Sequence, residues 1–147
     1  MGTAQAQAWN RHVHDVLARA GFKRGGARER VIELLASEPC ALTAWEIEEA
    51  LRASGRSPGR ASIYRTLDQL IEHGLVERVQ LGDGQARFER QHPGGEHHHH
   101  LICEGCGRLV AFDDPGLERA IAKLSGRLGM SVSGHDILLR GACGRCG

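Results

Sequence analysis

The residues best equipped for chemistry lie in two short stretches, EHHHHLICEGCG at 96–107 and CGRCG at 143–147. Cys103-x-x-Cys106 is matched by Cys143-x-x-Cys146, and a glycine follows each pair directly. A Cys-x-x-Cys turn sets two thiolates on one side of a tight loop, and two such loops complete a tetrahedral zinc site. Four thiolates leave no position for water or substrate, so the expected role is structural and not catalytic. A pair of redox dithiols is the competing chemistry. In a reducing compartment, paired cysteines are more often metal ligands than disulfides. Cys40 is left over and reads as a small buried hydrophobe.

The four histidines need a different argument. In a β-strand, successive side chains point to opposite faces. His97 and His99 therefore project one way and His98 and His100 the other, which gives two pairs suited to two metal sites. A polar surface strand with incidental histidines is the plainer alternative, but four adjacent imidazoles have little purely structural use.

Elements must carry these groups, and the composition bounds them. The chain has 147 residues, 41% hydrophobic and 25% charged, with a formal net charge of +1. That is an ordinary globular composition, long enough for one domain or two small ones. No stretch reaches the roughly 18 apolar residues of a membrane span. No apolar core with a small-residue cleavage site opens the chain, so a cytoplasmic location is expected. The near-neutral total means that any nucleic-acid reading rests on local charge.

Spacing predicts a helix through Val13, Val16, Leu17 and Ala20, stopped by Gly21, and a second over Ala27–Ser37. Thr43 and Glu46 form a capping box for a third helix, Ala44 to about Ala53, with Trp45, Ile47 and Leu51 toward the core. Ser57-Pro58 offers a cap for a fourth helix that buries Ile63, Leu67, Leu70 and Ile71 and ends at Gly74. LVERVQL and QARFER then alternate around Gly82-Asp83-Gly84 as a β-hairpin. Helices followed by a hairpin is the order of a winged helix-turn-helix. Arg52, Arg56, Arg60 and Arg65 fall in a stretch free of acidic residues, at and just before the fourth helix. The N-terminal residues of such a helix enter the major groove, so Arg56, Arg60, Ser62, Tyr64 and Arg65 are the candidates for DNA contact. A solvated charged face is the alternative.

QHPGGE reads as a linker. After it come β runs at His97–Cys103 and Arg108–Phe112, a helix capped by Asp114-Pro115 through about Leu128, and a last strand over Met130–Leu139. The expected organisation is α+β: a winged helix domain at 1–90, a hinge at 91–96, and a small α+β domain at 97–147. The second domain is too thin to be comfortable alone, so metal or dimerisation must help.

HHHHLICEGCG, CGRCG and SIYRTLDQLIEHGLVERV together resemble the ferric uptake regulator (Fur) family over nearly the whole chain. The resemblance implies a homodimeric, metal-responsive repressor that binds double-stranded operator DNA, with no membrane and no small-molecule substrate as partner. It assigns Cys103, Cys106, Cys143 and Cys146 to structural zinc. It also assigns His97, His99, Glu118 and His135 to a second metal, and His98 and His100 to a regulatory site. Iron and peroxide sensors of the family add a histidine where Ala41 stands and a carboxylate where Ala111 stands. The zinc-sensing branch uses an acidic residue matched by Glu77 and a hinge thiol, for which His92 is the nearest replacement. Glu89 is an alternative ligand. One carboxylate and three imidazoles suit four-coordinate zinc, whereas iron(II) or manganese favours more ligands and more oxygen. Zinc is thus the expected regulatory metal, with iron(II), manganese, nickel or peroxide sensing as the alternative. Two other classes compete. A zinc hydrolase would need an open three-ligand site with a base, and a zinc buffer would have no need of a helix-turn-helix.

Overall fold

The computed structural model describes residues 2–38, 40–55, 57–92 and 98–146. They form two compact units, Met1–Glu96 and His97–Gly147. Each is an α+β assembly with its own three-stranded sheet. Among the described residues, no helix is long and apolar enough to cross a membrane.

In the first unit, α1 (Gly2–Arg19) begins well before the predicted run. It buries Trp9, Val13 and Leu17, spaced four apart, so that one stripe meets the core. The Trp9 indole Nε1 donates to the Leu75 carbonyl at 3.0 Å, which fastens α1 to the chain entering the hairpin. The second helix, α2 (Gly26–Ser37), buries Val31, Ile32 and Leu35. A two-residue strand, β1 (Leu42–Thr43), leads into α3 (Ala44–Ala53). The capping box closes as expected: the Glu46 amide donates to Thr43 Oγ1 at 3.1 Å and the Thr43 amide to Glu46 Oε2 at 2.7 Å. Trp45 corrects one expectation, because it is 65% exposed while Ile47 and Leu51 are buried. Residues two apart on a helix point to nearly opposite sides, so Trp45 cannot share the face of Ile47.

The fourth helix, α4, spans Arg60–Glu72, and Gly59, not Ser57, is its N-cap. The amides of Ser62 and Ile63 donate to the Gly59 carbonyl at 3.0 and 3.1 Å, so the helical ladder starts there and Ser57-Pro58 stays outside it. Ile63, Leu67 and Leu70 are buried as the stripe requires, and Ile71 packs at its edge. The hairpin is β2 (Val76–Gln80) and β3 (Ala86–Arg90), joined through Gly82 and Gly84 at φ of 77° and 79°. Its turn is closed by the Gln85 amide donating to Asp83 Oδ1 at 3.1 Å. Strand β3 lies between β1 and β2, antiparallel to both. Phe88 faces the core. Glu77 and Glu89 are directly opposite in register, on the other face of the sheet.

In the second unit, β4 (His99–Cys103) is the central strand, antiparallel to β5 (Leu109–Phe112) and parallel to β6 (Leu138–Gly141). Between them runs α5 (Pro115–Leu128). Its N-cap Asp114 accepts from the Leu117 amide at 2.9 Å, and Gly129 ends it at φ 66°. The predicted last strand at Met130–Leu139 is displaced: strand pairing starts only at Leu138. A strand parallel to β4 must enter from the same end as β4, and residues 130–137 make that return.

Candidate metal centres

The parallel pairing of β4 with β6 is what joins the two Cys-x-x-Cys turns. Cys103 lies opposite Gly141, so Cys106 and Cys143 leave the same end of the sheet. The first turn is closed by the Gly107 amide donating to the Cys103 carbonyl at 2.8 Å, and the second by the Cys146 amide donating to the Cys143 carbonyl at 2.9 Å. The four Sγ atoms lie within 4.8 Å of one another. Cys106 Sγ and Cys143 Sγ are 3.8 Å apart. A tetrahedron with metal–sulfur bonds of about 2.3 Å has edges of about 3.8 Å, so the sulfur spacing fits zinc. Gly105 is required by the closeness of the turns. A Cβ there would stand 2.8 Å from Cys146 Cβ and 3.1 Å from Cys146 Sγ, whereas the same atom at Gly144 meets open space.

Charge in this cluster is unevenly shared. Amide donation from Cys143, at 3.3 Å to the sulfur, and from Cys106 holds the Cys103 thiol down to about 6. The Arg145 amide lowers the Cys143 thiol likewise. Cys146 is pushed up to about 12, first by its hydrogen bond with the Cys143 side chain and then by those with Cys106 and Cys103. Four sulfurs this close cannot all be thiolates without a cation, and a divalent ion would supply the missing charge.

The second constellation joins β4, α5 and the return segment. His99 Nε2 lies 2.6 Å from Glu118 Oε1, and His135 Nε2 lies 2.8 Å from Glu118 Oε2. The ligand atoms of these three residues are all within 4.8 Å of one another. The His99 side chain is fully buried and its ring packs 5.6 Å from that of Phe112. The fourth expected ligand, His97, lies outside the described residues.

Among the histidines, strand alternation applies to His99 and His100, which are both buried on opposite faces of β4. His98 is half-buried and precedes the strand, so the pleat does not set its direction. Of the other expected regulatory ligands, Glu77 is exposed on β2, Glu89 is buried on β3 and His92 is half-buried beyond it. Cys40 is half-buried, apart from the thiol cluster.

On α4, Arg60, Tyr64 and Arg65 are exposed and Ser62 is half-buried. Arg56 lies outside the described residues. The stretch from Arg52 to Arg65 is free of acidic residues, as the sequence shows, but the fold brings carboxylates to it. Arg60 Nε pairs with Glu48 Oε2 at 2.9 Å, which raises its guanidinium pKa, and Arg52 pairs with both Glu48 and Glu49. These carboxylates come from α3, one helix earlier. Arg65 instead donates to the Ser62 hydroxyl at 3.2 Å. Glu48 and Gly105 are the residues that sequence reasoning missed. The Glu-x-x-x-Arg spacing of Glu48 and Arg52 could have flagged the first, but only the fold brings in Arg60.

Comparison with known proteins agrees with this geometry. Residues 19–140 match the ferric uptake regulator family. A ferric uptake regulation protein of Bordetella parapertussis is 34% identical over 131 residues, covering 88% of this chain and 93% of the relative. The crystal structure of the Vibrio cholerae ferric uptake regulator superposes with a TM-score of 0.73 at 29% identity, covering 88% of this chain and 98% of that one. The ferric uptake regulator of Francisella tularensis, solved with iron, gives 0.72 at 28%, covering 86% and 95%. The chain therefore belongs to the ferric uptake regulator family and is a metal-responsive, DNA-binding transcription regulator with a winged helix domain, not an enzyme.

Proposed function

We propose that this regulator is a zinc-responsive repressor of metal uptake genes, acting in the cytoplasm as a homodimer on double-stranded operator DNA. Its working parts are a winged domain at 1–90, a hinge at 91–96 and a dimerisation domain at 97–147. Cys103, Cys106, Cys143 and Cys146 hold structural zinc. His97, His99, Glu118 and His135 hold a second metal, and Glu77, His92, His98 and His100 the regulatory one, with Glu89 as the alternative ligand. Arg65 and Tyr64, with Arg56, Arg60 and Ser62, meet the DNA. The observation that carries the reading is the pair of ready donor sets in the second unit, one all sulfur and one of two imidazoles and a carboxylate.

Dimerisation is supported by the apolar surface of that unit. No residue of α5 is fully buried, and Leu124, Leu128, Met130, Val132 and Leu139 are exposed. A second copy would cover them. Metal and operator binding are positively coupled when the metal favours the conformation that fits DNA. Metal requires neutral imidazoles, so protons compete with metal and sensing weakens in acid.

One observation favours the other reading. Glu77 and Glu89 are directly opposite on one face of the hairpin, and two carboxylates would suit iron(II) or manganese better than zinc. The experiment is a titration of the protein, its structural zinc retained, with zinc, iron(II), manganese and nickel while binding to its own promoter is followed. Zinc should switch binding on at the lowest free concentration. A lower threshold for iron(II) or manganese sinks the zinc reading. Repeated on variants, Glu77→Ala, His92→Ala and His98→Ala should match His100→Ala in losing the switch, while Glu118→Ala should match His99→Ala in retaining it with altered sensitivity or stability. One common class would mean that the histidines serve a single site.

A further inference from the structure

A cavity of about 210 Å3 opens in the first unit between the N-terminus of α2 and one face of α4, apart from every metal ligand named above. Its walls are made of hydrogen-bond donors. Helix α2 has 12 residues and its N-cap is Gly25, so no side chain takes up the first-turn amides, and Gly25 and Ala27 line the cavity. Those amides lack intrahelical acceptors and sit at the positive end of the helix dipole. Glu29, the acidic residue of that turn, is instead held 2.8 Å from His14 Nε2.

From α4, Thr66 lines the same cavity. It is only 4% exposed, and its hydroxyl has no hydrogen-bond partner among the described residues. The hydroxyl is not among the side-chain atoms sealed in the fold without a partner, so it opens onto the cavity and is free to meet a group that enters it. Arg65 reaches the same cavity and is aligned by its bond to Ser62. Arg28 is fixed more firmly. Its Nε and Nη2 donate to Gln69 Oε1 at 3.1 and 2.9 Å, its Nη1 donates to the Lys23 carbonyl at 3.3 Å, and its guanidinium stacks 4.5 Å from the Phe22 ring centroid. A guanidinium has five donor protons, so this arrangement holds the group in place with donor capacity to spare.

Uncapped amides, two guanidinium groups and a hydroxyl open to the cavity converge on one small space and make a seat for a tetrahedral oxyanion. We propose that the pocket binds one backbone phosphate of duplex DNA, so that α2 grips the strand beside the groove that α4 reads. The inference rests on the DNA-binding reading above. Arg65 provides the continuity, since it lines the pocket and stands on the exposed face of α4 beside Tyr64.

The test uses the full-length, metal-loaded protein and fluorescence anisotropy with operator and scrambled duplexes. Thr66→Val removes a hydroxyl that supports nothing else in the fold. Ala27→Glu puts a carboxylate in the first turn, which the helix dipole tolerates or favours, but fills the phosphate seat with like charge. Thr66→Val should weaken binding about 10-fold, the loss expected for one hydrogen bond to a charged oxygen. Ala27→Glu should weaken it further. Both losses should be equal on the two duplexes, because phosphate contacts carry no sequence information, with melting temperature and zinc content unchanged. If both variants bind duplex as the wild type does, the pocket proposal falls and the DNA reading stands. A wild-type protein that binds neither duplex overturns both. If inorganic phosphate binds the wild type but not Thr66→Val while both bind duplex equally, the pocket serves a free anion and the proposal is overturned.

Discussion

Replacing Gly105 with alanine adds one methyl group and no charge, yet it should release zinc. The new Cβ would stand 2.8 Å from Cys146 Cβ and 3.1 Å from its Sγ. Non-bonded carbons settle at about 3.5–4.0 Å, so relief requires a shift of close to 1 Å. Metal–ligand distances tolerate only about 0.2 Å. The shift is several times that tolerance, and Cys146 would have to leave the coordination sphere. Loss of a direct ligand must exceed the roughly 10-fold to 100-fold that changes behind the ligands cost, so zinc affinity should fall at least about 100-fold. Backbone strain does not confuse the result, because Gly105 does not occupy a left-handed conformation. Gly144 supplies the control from the other turn: it too has ordinary φ, and a Cβ there meets nothing within 4 Å. Competition with a chromophoric chelator at neutral pH, followed by thermal melting, measures both variants. Retention of wild-type affinity by Gly105→Ala, or equal damage from Gly144→Ala, would refute the steric argument.

Three further outcomes are expected. Arg65→Ala should weaken operator binding and flatten its salt dependence by about one counterion, whereas Arg60→Ala, whose guanidinium is tied to Glu48, should change the salt slope less; equal slopes would discount the ion pair. In the metal-free protein at pH 8, Cys103, held down to about 6, is a thiolate and Cys146, pushed up to about 12, keeps its proton. Zinc binding should therefore displace the Cys146 proton, read as net proton release in weak buffer when the wild-type metal-free protein is titrated at pH 8; no release would refute a protonated Cys146. By linkage, the stability that Cys103 contributes is full above the usual thiol range and is lost as pH falls through about 6; the Cys146 contribution has the opposite sign, present at lower pH and lost as pH rises toward about 12. Trp9→Phe should cost about 1–2 kcal/mol in denaturant unfolding, a modest loss because the Gln91 amide still donates to the Leu75 carbonyl at 2.9 Å; no change would mean that the indole bond does not fasten α1.

Much of this was legible in the sequence because local rules governed it. The Thr43–Glu46 capping box, the Asp114 cap, the hairpin about Asp83 and the thiol spacing each depend on a few neighbouring residues, and each stands where expected. The departures come from partners distant in sequence. Trp45 is the local exception, since its spacing from Ile47 already turns it away from the face that Ile47 and Leu51 hold. The alternation in Met130–Leu139 looked like a strand, yet the parallel pairing with β4 made most of it a return path. Arg60 looked unopposed until α3 brought Glu48 beside it. His99, Glu118 and His135 could be matched only through the family resemblance, since no local spacing links them.

The parallel pairing of β4 with β6 also sets a schedule for synthesis. Cys103 and Cys143 are 40 positions apart, and ribosomes add about 5–20 residues per second. The first thiol pair is therefore made about 2–8 seconds before the second. For most of that interval the central strand of the sheet has β5 to pair with but no β6, and the first turn offers a metal ion two sulfurs instead of four. Completion of the thiol cluster and completion of the sheet are thus one late event in the birth of each chain.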